Sequence, residues 1–573
     1  MDIIIRFKDE LKCYIECDRS IALGIKDRFS FMAKNYKYAP SYKYGTWDGR
    51  ISLYNLKTRE FYVGLIPDLF KWAKELGYTV GFLDDEKYLF KPFIKFDKSF
   101  FTDELPKMAK FPPKDYQVKY VTEALTWNKL LILSPTGSGK SFTIYCMIRY
   151  ILKYTDFKIL INVPSISLVE QLFSDFKDYT IDDWNVDEDV TKVYSKSEEN
   201  PNARIVISTW QSCASKPASY YQQFDAYFCD EAHGASAKVI TGIIDHLAHA
   251  KVRVGLTGTL DGTDLHELEM IGRFGRLFRV VTTADLMDSG DLAELKVNFL
   301  KLKYPLDECK LITKKSTEYQ EEIAYILDHE ARNKLLIKLA MNQKKNTLML
   351  FQFVDRHGKK LLADMNAQSD KHLKKVFFIY QKVSGDEREL IRKTLDGADP
   401  VWYDFEFENG AMMRFKDYEK INLANGKQKD AKDITMIDKV DIEWINTKFA
   451  HATNYRTGAI ADKLKTIKKQ VGTNILLASY GTLAVGVNIK NLHCLILCHP
   501  LKAKIKTLQS IGRILRTADG KGVVKLIDIV DDFSYTRGSK VQSNIVMRHY
   551  LERLKIYESE KFSYDINEYK LGE

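Results

Sequence analysis

The chain has 573 residues, 45% of them hydrophobic and 29% charged, with a formal net charge of +10. At roughly 100–200 residues per domain the length predicts three or four domains, and the mild positive excess favours a polyanionic partner. No apolar run nears the ~18 residues of a membrane span, the start Met1, Asp2, Ile3, Ile4, Ile5, Arg6 lacks a secretion-signal pattern, and the eight scattered cysteines read as free thiols of a reducing cytoplasm rather than a metal site.

Residues 1–105 read as one small α+β unit, with a strand over 3–7 and a helix over 65–76. Between them, residues 34–59 interleave Tyr36, Tyr38, Tyr42, Tyr44 and Trp47 with Lys37, Lys43 and Arg50. Aromatic rings stack on unpaired bases and cations neutralise phosphates, so Trp47 and Arg50 are candidate nucleic-acid contacts; the competing reading makes these aromatics the core of their own domain. Pro106, Pro112 and Pro113 mark 101–113 as a linker.

From about 116 to 281 short apolar strands alternate with amphipathic helices, the rhythm of a parallel α/β sheet. The expected strands are 130–133, 159–163, 204–208, 226–229 and 252–256. The pattern resumes near Asn333, with strands at 347–351, 375–379, 474–478, 493–497 and 523–527. Residues 396–470 break it. They carry the turn dipeptides Asn409, Gly410 and Asn425, Gly426, flanked by alternating runs, and read as a β-rich insertion extruded at a surface loop. From Tyr535 onward the chain reads as a basic helical tail carrying Arg537, Lys540, Arg548, Arg553 and Lys555.

Three motifs carry chemistry. Ser134, Pro135, Thr136, Gly137, Ser138, Gly139, Lys140 and Ser141 follow a strand and precede a helix. Gly137 and Gly139 let consecutive N–H groups face phosphate oxygens at a helix start, Lys140 reaches the β- and γ-phosphates, and Ser141 ligates magnesium. Ser134 stands where the general phosphate loop has its first glycine. Asp230 and Glu231 end an apolar strand, where a carboxylate faces the ligand crevice. Asp230 is the expected magnesium ligand and Glu231 the general base. Gln509, Ser510, Ile511, Gly512, Arg513, Ile514, Leu515 and Arg516 place two arginines three apart, one helix face able to touch a γ-phosphate as arginine fingers. With the loop in one α/β half and the arginines in the other, ATP hydrolysis becomes a report of lobe closure.

The ordered set resembles the superfamily-two helicases of the DEAH-box and RecG-like kind. Tyr116 and Gln117 are similar to that family's adenine-reading pair, Pro164 and Ser165 to its first strand-contacting element, and Thr209, Trp210 and Gln211 to its next. Thr257, Gly258 and Thr259 resemble the coupling motif, with glycine for the usual alanine. Ser479 and Tyr480, with Gly486 after them, resemble the second-lobe motif that touches both nucleic acid and nucleotide. Phe29 to Phe31, Tyr44 to Arg50, Asp531, Asp532 and 560–564 resemble a tailed-phage branch of these helicases, and the likeness covers nearly the whole chain except 396–470, which is similar to the degenerate intein-like pieces of some phage enzymes. The resemblance implies an α/β fold of two tandem RecA-like parallel-sheet lobes, with a small α+β N-terminal domain and a β-rich insertion in the second lobe. The domains it implies are 1–105 (nucleic-acid binding), 106–285 (ATP-binding lobe), 286–535 (second lobe, with the insertion) and 536–573 (tail). It implies ATP and Mg2+ as ligands. Its implied substrates are branched DNA, single-stranded DNA and RNA–DNA hybrids, processed in phage recombination, repair and replication in the host cytoplasm. It also implies a monomer when free, with phage recombination or single-strand-binding proteins as partners.

Two other classes use the same motifs: a duplex translocase that moves DNA without parting it, and a nucleotide-gated binding accessory. The intact Lys140, Glu231, Arg513 and Arg516 rank the accessory lowest. No nuclease constellation accompanies them, which separates the chain from restriction-enzyme motors.

Overall fold

The computed structural model describes the chain except residues 34–35, 84–95, 195–198, 235–236, 261–263, 316–317, 370–371, 449–460, 484–488, 501–503, 519–520 and 572–573. It forms two compact units, Met1–Leu286 and Met287–Glu573.

The first unit joins a small N-terminal sheet to a larger one. The small sheet orders its strands Glu60–Tyr62, Lys12–Cys17, Ile3–Phe7 and Val80–Phe82. Ile3, Ile5, Cys13 and Ile15 alternate inward and are fully buried, as a period-two pattern requires. The larger sheet orders Leu277–Phe278, Lys129–Leu133, Val252–Thr257, Ala226–Cys229, Ile159–Val163, Ile205–Thr209 and Val190–Val193, and every pairing is parallel. Its central strands are buried on both faces, so they read as unbroken apolar runs.

The two sheets are locked together. Buried Arg253 donates to the carbonyl of Arg273 at 3.1 Å and to that of Glu10, in the N-terminal sheet's first turn, at 3.0 Å. Lys129 pairs with the Glu10 carboxylate at 2.5 Å. The predicted linker is no linker. Phe100–Glu104 and Leu105–Met108 are helical, Phe100 and Leu105 are buried, and Glu104 pairs with Lys153. Pro106 sits in the first helical turn, where its missing N–H costs nothing, which is why a proline-rich stretch could fold.

The second unit is built on a parallel sheet ordered Lys374–Ile379, Thr473–Ser479, Thr347–Phe351, Cys494–Leu497, Val524–Asp532, Leu295–Lys303 and Ser563–Lys570. The insertion leaves this sheet between its strands Lys374–Ile379 and Thr473–Ser479. It has its own antiparallel sheet of Met412–Lys416, Val401–Phe407 and Leu464–Val471, and its own core of Phe405, Phe407, Phe415, Ile421 and Leu423. Gly410 and Gly426 turn at φ +82° and +78°, the conformation the two turn dipeptides supply.

The tail departs from the helical expectation. Ile545–Ser559 is a helix, but Ser563–Lys570 is an edge strand beside Leu295–Lys303. Arg553 is no solvated cation either. It is buried, and donates twice to Asp528 at 2.8 Å.

Candidate nucleotide and nucleic-acid site

The phosphate loop leaves the strand Lys129–Leu133 and enters the helix Lys140–Tyr154. Gly137 and Gly139 hold φ +91° and +75°, and Gly139 is the residue before the helix. At that φ a side chain would be strained, and a Cβ at Gly139 would lie 2.6 Å from the Gln117 amide nitrogen, so the position favours glycine. Ser134 fills its departure from the general pattern by sharing a hydrogen bond, Oγ to Oγ, with Ser138 at 2.6 Å. A hydroxyl tie thus closes the loop where another chain would use a glycine turn. Pro135 is buried, and Thr136 Oγ1 would lie 3.3 Å from a Cβ on Gly258, so the coupling motif packs directly on the loop.

Tyr116 and Gln117, the expected adenine-reading pair, both contact the phosphate loop. The Tyr116 hydroxyl donates to the carbonyl of Ser138 at 3.0 Å. Gln117 is buried; its amide nitrogen donates to the carbonyls of Ser138 and Gly139 at 3.1 and 3.3 Å, and its oxygen accepts the N–H of Lys114 at 2.9 Å. Both side chains brace the phosphate loop from behind, because the helix Asp115–Trp127 begins directly against it.

Opposite the loop, the strand Ala226–Cys229 delivers Asp230 and Glu231. The Lys140 ammonium lies 3.4 Å from Glu231 Oε1. Glu231 stands at φ +49°, a left-handed conformation that costs a non-glycine residue about 1–3 kcal/mol and that clusters at functional sites. Burial and then the neighbouring Glu231 push the Asp230 carboxyl up to about 6, against the pull of Lys140. His233 Nδ1 lies 2.6 Å from Thr257 Oγ1 and 3.4 Å from Glu231 Oε2. The Thr257 hydroxyl also lies 2.8 Å from the carbonyl of Thr259. His233 thus sits between the Glu231 carboxylate and Thr257, and Thr257 in turn contacts Thr259.

Sequence reading passed over Tyr179. Its hydroxyl lies 2.9 Å from Ser141 Oγ, across a gap of 38 residues that no local pattern bridges.

The donor set suits magnesium. Ser141 and Asp230 supply hard oxygens, and a crowded carboxylate pair beside one lysine favours a cation. Magnesium bound through one or two protein groups plus phosphates needs no larger carboxylate cluster.

The expected strand-contacting residues divide by burial. Ser165 caps the helix Ile166–Tyr179, its Oγ accepting the Leu168 N–H, and together with Pro164 it is partly exposed. Thr209 caps the helix Trp210–Ala214, and Gln211 is exposed. Trp210, however, is 4% exposed and Tyr480 is 3% exposed. Neither ring can stack on a base. Trp210 packs in the core beside Cys213 and Tyr221, and the Tyr480 hydroxyl donates to the carbonyl of His499. Ser479 is buried and caps its turn through Thr482. In a separate two-stranded sheet of Ser30–Met32 and Arg50–Ser52, Arg50 is exposed, and Trp47 before it is half-buried with its indole N–H on the Arg50 carbonyl at 2.8 Å. Tyr38 and Tyr44 are 77% and 83% exposed, so they are not core.

Arg513 lies in the last turn of the helix Lys504–Ile514, but Arg516 lies beyond its end, in a β-bridge with Leu292. The shared helix face is corrected: Lys521 takes the carbonyls of Ile514 and Arg516 at 2.6 and 2.8 Å and stops the helix between the two arginines. Gly486 lies outside the described residues.

Comparison with known proteins agrees with this geometry. Residues 2–84 match the family model "DNA helicase UvsW, N-terminal", and residues 110–262 match "Type III restriction enzyme, res subunit". The ATP-dependent DNA helicase uvsW of Enterobacteria phage T4 is 29% identical over 98% of this chain and 99% of its own length. Over nearly its whole length the chain is similar to that phage helicase. Another relative, putative helicase 22 of a Sulfolobus islandicus filamentous virus, is 21% identical over 91% of this chain and 81% of its own. Among solved structures, T4 UvsW matches with 26% identity, full coverage of both chains and a TM-score of 0.46. The 98% alignment corrects one expectation about this UvsW-like chain. It leaves far fewer residues uncovered than 396–470 contains, so the insertion does not fall outside the resemblance.

Proposed function

We propose that the chain is an ATP-dependent DNA helicase that remodels branched nucleic acids: unwinding R-loops, migrating four-way junctions and regressing forks in a phage-infected cell. The observation that carries this reading is the Lys140–Glu231 pair at 3.4 Å. It sets the phosphate-binding lysine and the general base of hydrolysis on opposite sides of one crevice. The loop amides around Gly137 to Lys140 hold the triphosphate. Glu231 accepts the proton of the attacking water. Ser141 and Asp230 would hold magnesium, which would neutralise charge on the bound phosphates. Arg513 and Arg516 supply the guanidinium groups that stabilise charge on the γ-phosphate, and Gly486 is a further nucleotide contact. Pro164, Ser165 and Gln211 hold the nucleic-acid backbone, and low sequence preference follows from phosphate contact. The fully buried Trp210 and Tyr480 hold those elements in place.

The test is ATPase and strand displacement measured in parallel on single-stranded, forked, R-loop and four-way-junction substrates. Branched substrates should stimulate ATP turnover most and lose their strands. Stimulation with displacement of a triplex strand but no duplex unwinding would replace the helicase reading by duplex translocation.

A further inference from the structure

Ser141 is tied to an aromatic residue that the phosphate-loop motif does not include. Tyr179, its hydroxyl 2.9 Å from Ser141 Oγ, is the last residue of the helix Ile166–Tyr179. Packing, rather than this hydrogen bond, places its ring. Phe142 meets it edge-on at 5.0 Å and 81°, Tyr145 at 5.5 Å and 73°, and Phe111 at 6.5 Å and 80°. The backbone is pinned as well: the Tyr179 carbonyl accepts the Lys110 N–H at 2.8 Å, and Thr180 bridges Ala109.

We infer that Tyr179 is a positioning residue for the metal site, its phenolic oxygen accepting the Ser141 proton so that the serine lone pairs face the cation. The inference rests on the reading of Ser141 as a magnesium ligand. A serine hydroxyl has one proton and two lone pairs, and it rotates freely unless the proton has a fixed acceptor. Without a cation either hydroxyl of the pair can donate. Once a cation takes a serine lone pair, the serine O–H becomes the stronger donor and its proton turns to Tyr179. An oxygen held behind a ligand in this way typically changes metal affinity by about 10–100-fold. The same tyrosine closes the helix that Ser165 opens, so the element expected to touch a nucleic-acid strand ends on the side chain that orients the metal ligand.

The experiment is calorimetric binding of ADP to the full chain, with magnesium and with EDTA. Tyr179→Phe keeps the ring and its edge contacts, and should weaken binding of magnesium–ADP about 10-fold while leaving metal-free ADP binding unchanged. In Ser141→Ala, adding Tyr179→Phe should cost nothing more, because the phenol acts only through the serine. A magnesium effect that survives Tyr179→Phe undiminished overturns the inference alone, as does an equal loss of metal-free affinity, which would mark a merely structural role. A wild-type chain whose ADP affinity is indifferent to magnesium overturns the Ser141 reading and the inference with it.

Discussion

The Lys140 ammonium and the Glu231 carboxylate face each other at 3.4 Å, with side chains only 10% and 18% exposed. In the proposed mechanism an arriving triphosphate takes over the lysine and frees the Glu231 carboxylate to activate water. Glu231→Gln should therefore bind ATP at least as tightly as the wild type but hydrolyse it about 10²–10⁴-fold more slowly. Fluorescent-nucleotide titration with phosphate-release kinetics checks both halves. Retained turnover would remove Glu231 from the chemistry.

The exposed aromatics and the buried ones should separate in opposite directions. Tyr38 and Tyr44 stand clear of the fold, and stacking is worth about 1–3 kcal/mol per base, so replacing both by alanine should weaken single-strand binding without lowering the melting temperature. Trp210→Ala and Tyr480→Ala should do the reverse: they leave cavities in cores and destabilise by about 3–5 kcal/mol. Anisotropy with a labelled oligonucleotide, paired with thermal melts, reads the difference.

Arg332 and Asp531 are both fully buried, joined at 2.6 and 3.0 Å, and the Tyr304 hydroxyl donates to the same carboxylate. Arg332→Ala leaves an uncompensated buried carboxylate and should cost about 3–5 kcal/mol in urea denaturation. Replacing the pair together by Met and Leu should cost much less, since the desolvation of both charges is then removed.

Acid should loosen the second unit through its buried histidines. Burial, then Arg332, pushes His499 down to about 3, and burial puts His357 well below its ordinary value near 6.5. The folded state keeps both rings neutral where the unfolded chain takes up protons. Their stabilisation is therefore fully present above about 6.5 and is lost as pH falls toward 3. The melting temperature should drop between pH 6.5 and 4.5, and His499→Asn should flatten that slope.

What the sequence disclosed follows from burial. The central strands 159–163, 226–229 and 347–351 are buried on both faces, so apolar runs announced them. The strand Leu295–Lys303 alternates lysine with apolar residues, and the edge strand Ser563–Lys570 is almost wholly exposed, so neither carries such a run. At the site, the phosphate loop and the Asp230, Glu231 pair were legible because their chemistry is local. The bracing by Gln117, the Tyr179 hydroxyl on Ser141 and the helix end between Arg513 and Arg516 depend on contacts made through folding, and no spacing rule contains them. Arg553 looked like a solvated cation because its partner, Asp528, lies on another element.

The central claim is that hydrolysis at Lys140 and Glu231 drives strand separation. The most direct measurement is displacement of a labelled strand from a forked duplex by the wild type and by Lys140→Ala, each at matched folded fraction. The wild type should release the strand only with hydrolysable ATP, while Lys140→Ala, still binding the fork, should release none. Unwinding by Lys140→Ala at the wild-type rate would contradict the account.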